Sequence, residues 1–111
     1  MELNEYQNKA QETANYKRPS QFRAIEYCVM GLAGECGEAA NKVKKIYRDD
    51  DEVCHPDKLE ALAYELGDAL WYIAMGAKEC GYTLEQIAQM NYEKLQSRKE
   101  RGKLSGSGDN R

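Results

Sequence analysis

The 111-residue sequence predicts an all-α fold with a four-helix-bundle-like core that assembles into oligomers. Three observations predict it. Apolar residues recur at spacings of three and four along two long segments, the period of a helix face. β-branched residues are scarce and no segment alternates apolar with polar, so strands have no pattern to form on. Only two prolines occur, Pro19 and Pro56, and both stand between helical patterns.

The first helix is expected from Asn4, with Gln7 three residues on as a capping box, to about Asn15. Its apolar face is short: Tyr6, Ala10 and Ala14. The second follows Pro19, with Ser20 as N-cap. Phe22, Ile25, Val29, Leu32, Cys36, Ala39, Val43 and Ile46 form its expected core stripe. It ends before the acidic run from Asp49 to Glu52, which reads as a solvated loop. Pro56 opens the third helix, where a first-turn proline loses no hydrogen bond. Leu59, Leu62, Leu66, Leu70, Ile73 and Ala77 continue the spacing, and Gly81 stops it. The fourth begins with the capping box Thr83-x-x-Gln86, and Leu84, Ile87, Asn91 and Leu95 form its seam. Residues 1–101 thus make one domain, and the Gly/Ser-rich residues 102–111 a flexible tail.

Composition narrows the function classes. The net charge is −3, from 16 Lys and Arg against 19 Asp and Glu, so no nucleic-acid surface is expected. The longest apolar stretch, Ala69 to Ala77, is too short to span a bilayer, so no membrane partner is expected. MELNEYQ has neither the basic nor the apolar region of a signal peptide. The four cysteines form no C-x-x-C pair. Reduced thiols in a cytoplasmic protein are the expectation.

The chemistry resides in two acidic pairs set inside apolar sequence. Glu35 and Glu38 lie in GLAGECGEAANKV, and Glu65 and Asp68 in LAYELGDALWYIAM. Carboxylates three apart project from one side of a helix. Carboxylates beside core positions are costly unless paired or bound to a cation. On the second helix Gly31, Glu35, Glu38 and Lys42 form a row; on the third, Ala61, Glu65, Asp68 and Tyr72. Antiparallel packing of the two would bring both pairs to one spot. An all-oxygen donor set suits Mg²⁺ or Mn²⁺, and Mg²⁺ characteristically completes its shell with water and phosphate.

Further residues extend that site. Asn91, Lys94 and Arg98 follow one another at spacings of three and four, and the two cations suit phosphate oxygens. The alternative is that they simply complement the helix dipole. Trp71 and Tyr72, just beyond Asp68, are candidates to stack on a base, or else pack the core. GLAGECGE lacks the spacing and Lys-Ser/Thr ending of a P-loop. Glu52-x-x-His55 is half of a di-iron motif, but His55 is the only histidine.

With these residues in place the chain resembles the MazG-like, single-domain all-α nucleoside triphosphate pyrophosphohydrolases of phage and bacterial type. The pattern E-x-x-E, spacer, E-x-x-D is carried by Glu35, Glu38, Glu65 and Asp68. N-x-x-K-L-x-x-R is carried by Asn91, Lys94, Leu95 and Arg98, and the ending from Arg101 to Arg111 also matches. The resemblance implies Mg²⁺-dependent hydrolysis of a nucleoside triphosphate to monophosphate and pyrophosphate, for cleaning or adjusting a nucleotide pool. It implies that the four acids bind metal, that Lys94 and Arg98 hold phosphate, and that the protein is a homodimer or homotetramer. Some relatives carry an extra glutamate directly before the first pair; here Gly34 stands there. Two other readings are a non-catalytic helical module whose carboxylates hold a metal-stabilised assembly, and a phosphoribosyl-ATP pyrophosphohydrolase.

Overall fold

Ser20 starts the longest helix as expected: its hydroxyl accepts the Arg23 N–H at 3.1 Å. The computed structural model describes residues 1–111, with helices α1 (Leu3–Ala10), α2 (Gln21–Asp49), α3 (Pro56–Glu79) and α4 (Leu84–Glu100) and no strand. Pro56 occupies the first turn of α3. Thr83 and Gln86 form the reciprocal box at the start of α4, with bonds of 3.1 and 2.9 Å. Gly81, at φ 84°, ends α3 in a Schellman turn. Tyr82 N–H donates to Ala77 O and Gly81 N–H to Lys78 O, each at 2.9 Å.

α2 and α3 form an antiparallel hairpin across the turn Asp50–His55, in which Asp51 and Glu52 take positive φ of 50° and 64°. The register is set by small residues. A Cβ at Gly31 would land on the ring of Tyr72, so only glycine lets α3 come this close. Gly34 and Gly37 face open space and serve no such approach.

α1 is shorter than its sequence pattern suggests. It ends at Ala10, and a 3₁₀ turn covers Gln11–Thr13. Gln7 is not a cap residue. It is buried, donates to Ala74 O (3.0 Å) and Tyr82 O (3.1 Å), and accepts the Leu84 N–H (3.1 Å). One carboxamide therefore ties α1, the end of α3 and the start of α4 together. Asn4 adds a reciprocal pair of bonds with Glu85.

The core sits at this end of the hairpin. Ala10, Cys28, Ala74, Met75 and Leu84 form it, with Tyr6, Ala14, Tyr16 and Trp71 packed around. The expected stripe on α2 is not a core within one chain. Phe22 is 67% exposed, and Val29, Cys36 and Val43 are also exposed; of the stripe only Ile46 is buried. The residues of α2 that are buried are Ala24, Cys28 and Ile46, which face α3. Nor does α4 close against the hairpin along its length. Beyond Leu84 it is exposed from Gln89 to Leu95. The radius of gyration is 16.8 Å, against about 13 Å for a typical globule of this length.

Residues 102–111, Gly/Ser-rich and expected to be flexible, fold back on the end of α4. Arg98 donates to Asp109 O, and Arg101 to Arg111 O, each at 2.8 Å. The Arg111 guanidinium gathers the carbonyls of Lys103, Leu104 and Gly108. Composition alone predicts no order here because the segment has no core to join; three arginines supply hydrogen bonds instead. No helix is long and apolar enough to cross a membrane.

Candidate metal centre

The hairpin brings three of the four acids together. Carboxylate oxygens of Glu35, Glu65 and Asp68 all lie within 4.8 Å of one another. The register that places Tyr72 on Gly31 puts Glu35 one turn further along α2, opposite the next turn of α3. Glu38 does not join them. It is exposed and outside the group within 4.8 Å, though its charge still acts on Glu35.

The cluster has one basic partner, Lys42, whose Nζ lies 3.2 Å from Glu65 Oε1. Glu35 and Glu65 are half-buried and Asp68 is exposed. Partial burial, and then the charges of Asp68, Glu65 and Glu38, raise the Glu35 carboxyl above its ordinary range. Three oxygen ligands with one lysine between them leave uncompensated negative charge. That donor set fits a hard divalent cation of the Mg²⁺ or Mn²⁺ class and lacks the nitrogen and sulfur that favour zinc or copper.

The surroundings are asymmetric. Towards the α2–α3 turn, Lys42, Lys45 and Lys58 line a small hollow over Ile46 and Ala61. Towards α1, a cleft of about 410 Å³ has Glu35 and Asp68 on its floor and Thr13, Asn15, Tyr27, Trp71 and Tyr72 as walls.

Trp71 is half-buried, and its indole N–H donates to Thr13 Oγ1 (2.8 Å) and Ala10 O (3.1 Å). It contacts Tyr16 and Tyr72 edge-on, at 6.2 and 5.0 Å between centroids. Tyr72 is half-buried over Gly31. Burial, and then Tyr27, raise its hydroxyl's pKa. Both aromatics border the cleft, and Trp71 is also a strut between α3 and α1.

The residues expected on the phosphate side lie on α4. Asn91 and Lys94 are exposed, and Arg98 is buried against the C-terminal turn through its bond to Asp109 O. Within one chain α4 packs on α1 and α3 near its start, and these residues are not part of the cleft lining.

Sequence reasoning missed a second carboxylate centre. Glu79 is buried, its side chain 1% exposed. Arg18 grips it with two bonds, Nε to Oε1 at 2.8 Å and Nη2 to Oε2 at 2.6 Å, and the Tyr16 hydroxyl donates to Oε1 at 2.7 Å. Gln21 also donates to the Glu79 carbonyl. The Arg18 bonds hold the Glu79 carboxyl below the usual range. Burial and the Glu79 bond push the Tyr16 hydroxyl well up. A Lys-Glu pair at a helix end reads as solvated surface; the signal available was the Tyr-x-Arg segment waiting for an anion.

Comparisons with known proteins identify a domain. The MazG nucleotide pyrophosphohydrolase domain matches residues 23–102, a span that includes both acidic pairs. The chain is 47% identical over 114 residues to the gene 37 protein of Mycobacterium phage L5, covering the whole of both chains. No solved structure matches. With the matched domain spanning most of the sequence, the chain belongs to the MazG nucleotide pyrophosphohydrolase family.

Proposed function

We propose that the protein is an Mg²⁺-dependent hydrolase that splits a nucleoside triphosphate into the monophosphate and pyrophosphate, so cleaning or adjusting a nucleotide pool. The observation that carries this reading is the convergence of Glu35, Glu65 and Asp68 within 4.8 Å with only Lys42 beside them. Those three residues would hold the metal. Bound there, a divalent cation supplies neutralising charge for the triphosphate and lowers the pKa of a coordinated water. Glu38, on the same side of α2 but free of the cluster, is the carboxylate available to take the proton of the attacking water. Lys42 offsets charge at Glu65 and lies towards the lysine-lined hollow, where phosphate oxygens gain most.

Lys94 and Arg98 join the site from a second copy in this reading, which makes the protein a homo-oligomer. The exposed apolar stripe Phe22, Val29, Met30 and Val43 supports association, as does the course of α4 away from its own hairpin. Mixing Lys94→Ala protein with Glu65→Gln protein then restores turnover, to about a quarter of wild-type sites in freely exchanging dimers. No recovery on mixing would place both residues in one chain's site.

The test of the reaction is pyrophosphate release across a panel of ribo- and deoxynucleoside triphosphates with Mg²⁺ or Mn²⁺. Activity on at least one triphosphate, lost on chelation, is expected. Folded, metal-loaded protein inactive on all of them would end the proposal.

A further inference from the structure

The cleft beside the acidic cluster has more definition than metal binding requires. Its five wall residues come from three places: Thr13 and Asn15 from the segment after α1, Tyr27 from α2, and Trp71 and Tyr72 from α3. Their polar groups are not equally available. The Thr13 hydroxyl donates to Ala10 O at 3.0 Å and accepts the Trp71 N–H. The Tyr27 and Tyr72 rings lie 6.2 Å apart, tilted by 49°. The carboxamide of Asn15, exposed at the rim, is left with both its donor and its acceptor uncommitted.

Asn15 is also held in place. Its neighbour Tyr16 donates to Glu79 and stacks on Tyr27 at 4.8 Å with planes 16° apart. Arg18, three residues on, is clamped to the same carboxylate. With the Trp71 bond to Thr13 before it and Tyr16 and Arg18 after it, the segment is fixed on both sides of one asparagine. Such anchoring orders a side chain before a ligand arrives, which lowers the entropy lost on binding.

The polarity of the surroundings sets which end of a triphosphate goes where. Lysines lie on the turn side of the acids, and aromatic rings with one free amide lie on the α1 side. Phosphates go with lysines. A nucleobase has π faces for aromatic walls and adjacent donor and acceptor groups that match a carboxamide. A volume of about 410 Å³ is in the range of small-molecule sites.

We infer that this cleft is the nucleoside subsite and that Asn15 reads the base, with the Arg18–Glu79 pair as its positioning element. The inference rests on the proposed hydrolase activity. Asn15 and Arg18 themselves precede the matched domain, which starts at residue 23.

Asn15→Ala and Asn15→Asp test it, together with the fluorescence of Trp71, the chain's single tryptophan. In the wild type, titration with nucleoside monophosphates changes the Trp71 emission and ranks the bases. The preferred triphosphate loses about tenfold to a hundredfold in kcat/KM in Asn15→Ala, the loss of one or two hydrogen bonds. Poor substrates change little, so discrimination flattens. Asn15→Asp, which has acceptors only, reorders the ranking. Inhibition by inorganic tripolyphosphate, which has no base, is unchanged in both. Melting temperatures stay at the wild-type value because Asn15 is exposed. An unaltered base ranking and kcat/KM in both variants, with the wild type active, would overturn the subsite and leave the hydrolase reading standing. A wild type inactive on every triphosphate removes both.

Discussion

Glu79 and the Glu35–Glu65–Asp68 cluster are both acidic sites on the same pair of helices, and they are built in opposite ways. Glu79 is deeper, and both its oxygens are met: two bonds from Arg18 and one from Tyr16. Its charge is balanced within the chain. The cluster is shallower, sets three carboxylates against one another, and offers a single lysine. Burial with partners marks a structural carboxylate; partial burial with like-charged neighbours marks one that waits for a cation. The acid that looks most anomalous by depth is therefore the ordinary one.

Substitutions should separate the two sites. The largest effect is expected for Glu65→Gln or Asp68→Asn, which should lower turnover by roughly a thousandfold in a pyrophosphate-release assay, the loss of a metal contact worth several kcal/mol at the transition state. The metal-free melting temperature should hold or rise, because like-charge repulsion is relieved. Glu79→Ala should do the reverse. It strands the Arg18 and Tyr16 donors and should cost about 2 kcal/mol in urea unfolding. If Glu79→Ala left stability intact, or Asp68→Asn unfolded the protein, the contrast would collapse.

Metal gives a second separation of intermediate size. Saturating Mg²⁺ should raise the melting temperature of the wild type by mass action and do the same for a Glu79 variant. Glu65→Gln and Asp68→Asn should lose the increment.

The smallest effect is the pH response of the clamp. Glu79 has a folded pKa held below its unfolded one, chiefly by Arg18. The unfolded chain then binds more protons, so stability rises with pH. The contribution is complete above the ordinary glutamate range and is lost as pH falls through the lower folded value. Glu79→Gln should flatten the acid limb of a stability-against-pH curve, measured with Mg²⁺ absent and present.

Much of this was legible beforehand because local rules decided it. Ser20, Pro56, Gly81 and the Thr83–Gln86 box placed helix ends, since each satisfies or spares specific backbone groups. The acidic pairs stood out because their neighbours want burial. What stayed hidden depended on distant partners. Gln7 spaced like a cap residue, yet its partners lie 67 to 77 residues away. Glu79 needed Arg18 across 61 residues. Periodicity identified the apolar stripe on α2 but not that Phe22, Val29 and Val43 would stay exposed, because burial depends on which face α3 meets.

The turn Asp50–His55 also determines where this chain tolerates changes in length. Each residue added inside a helix rotates everything beyond it by about 100°. A single insertion between Glu38 and Asp49 leaves the first acidic pair in place and turns the end of α2 about its axis, so the loop departs in a new direction. One between Pro56 and Glu65 likewise leaves the second pair in place and turns the start of α3 about its axis. An insertion after Asp50 only enlarges a loop whose Asp51 and Glu52 already sit in the left-handed region. Duplications and deletions are therefore expected to survive in this short stretch and to be purged on either side of it. A library with one to three extra residues at each position from 39 to 64, sorted for turnover, would trace that boundary directly.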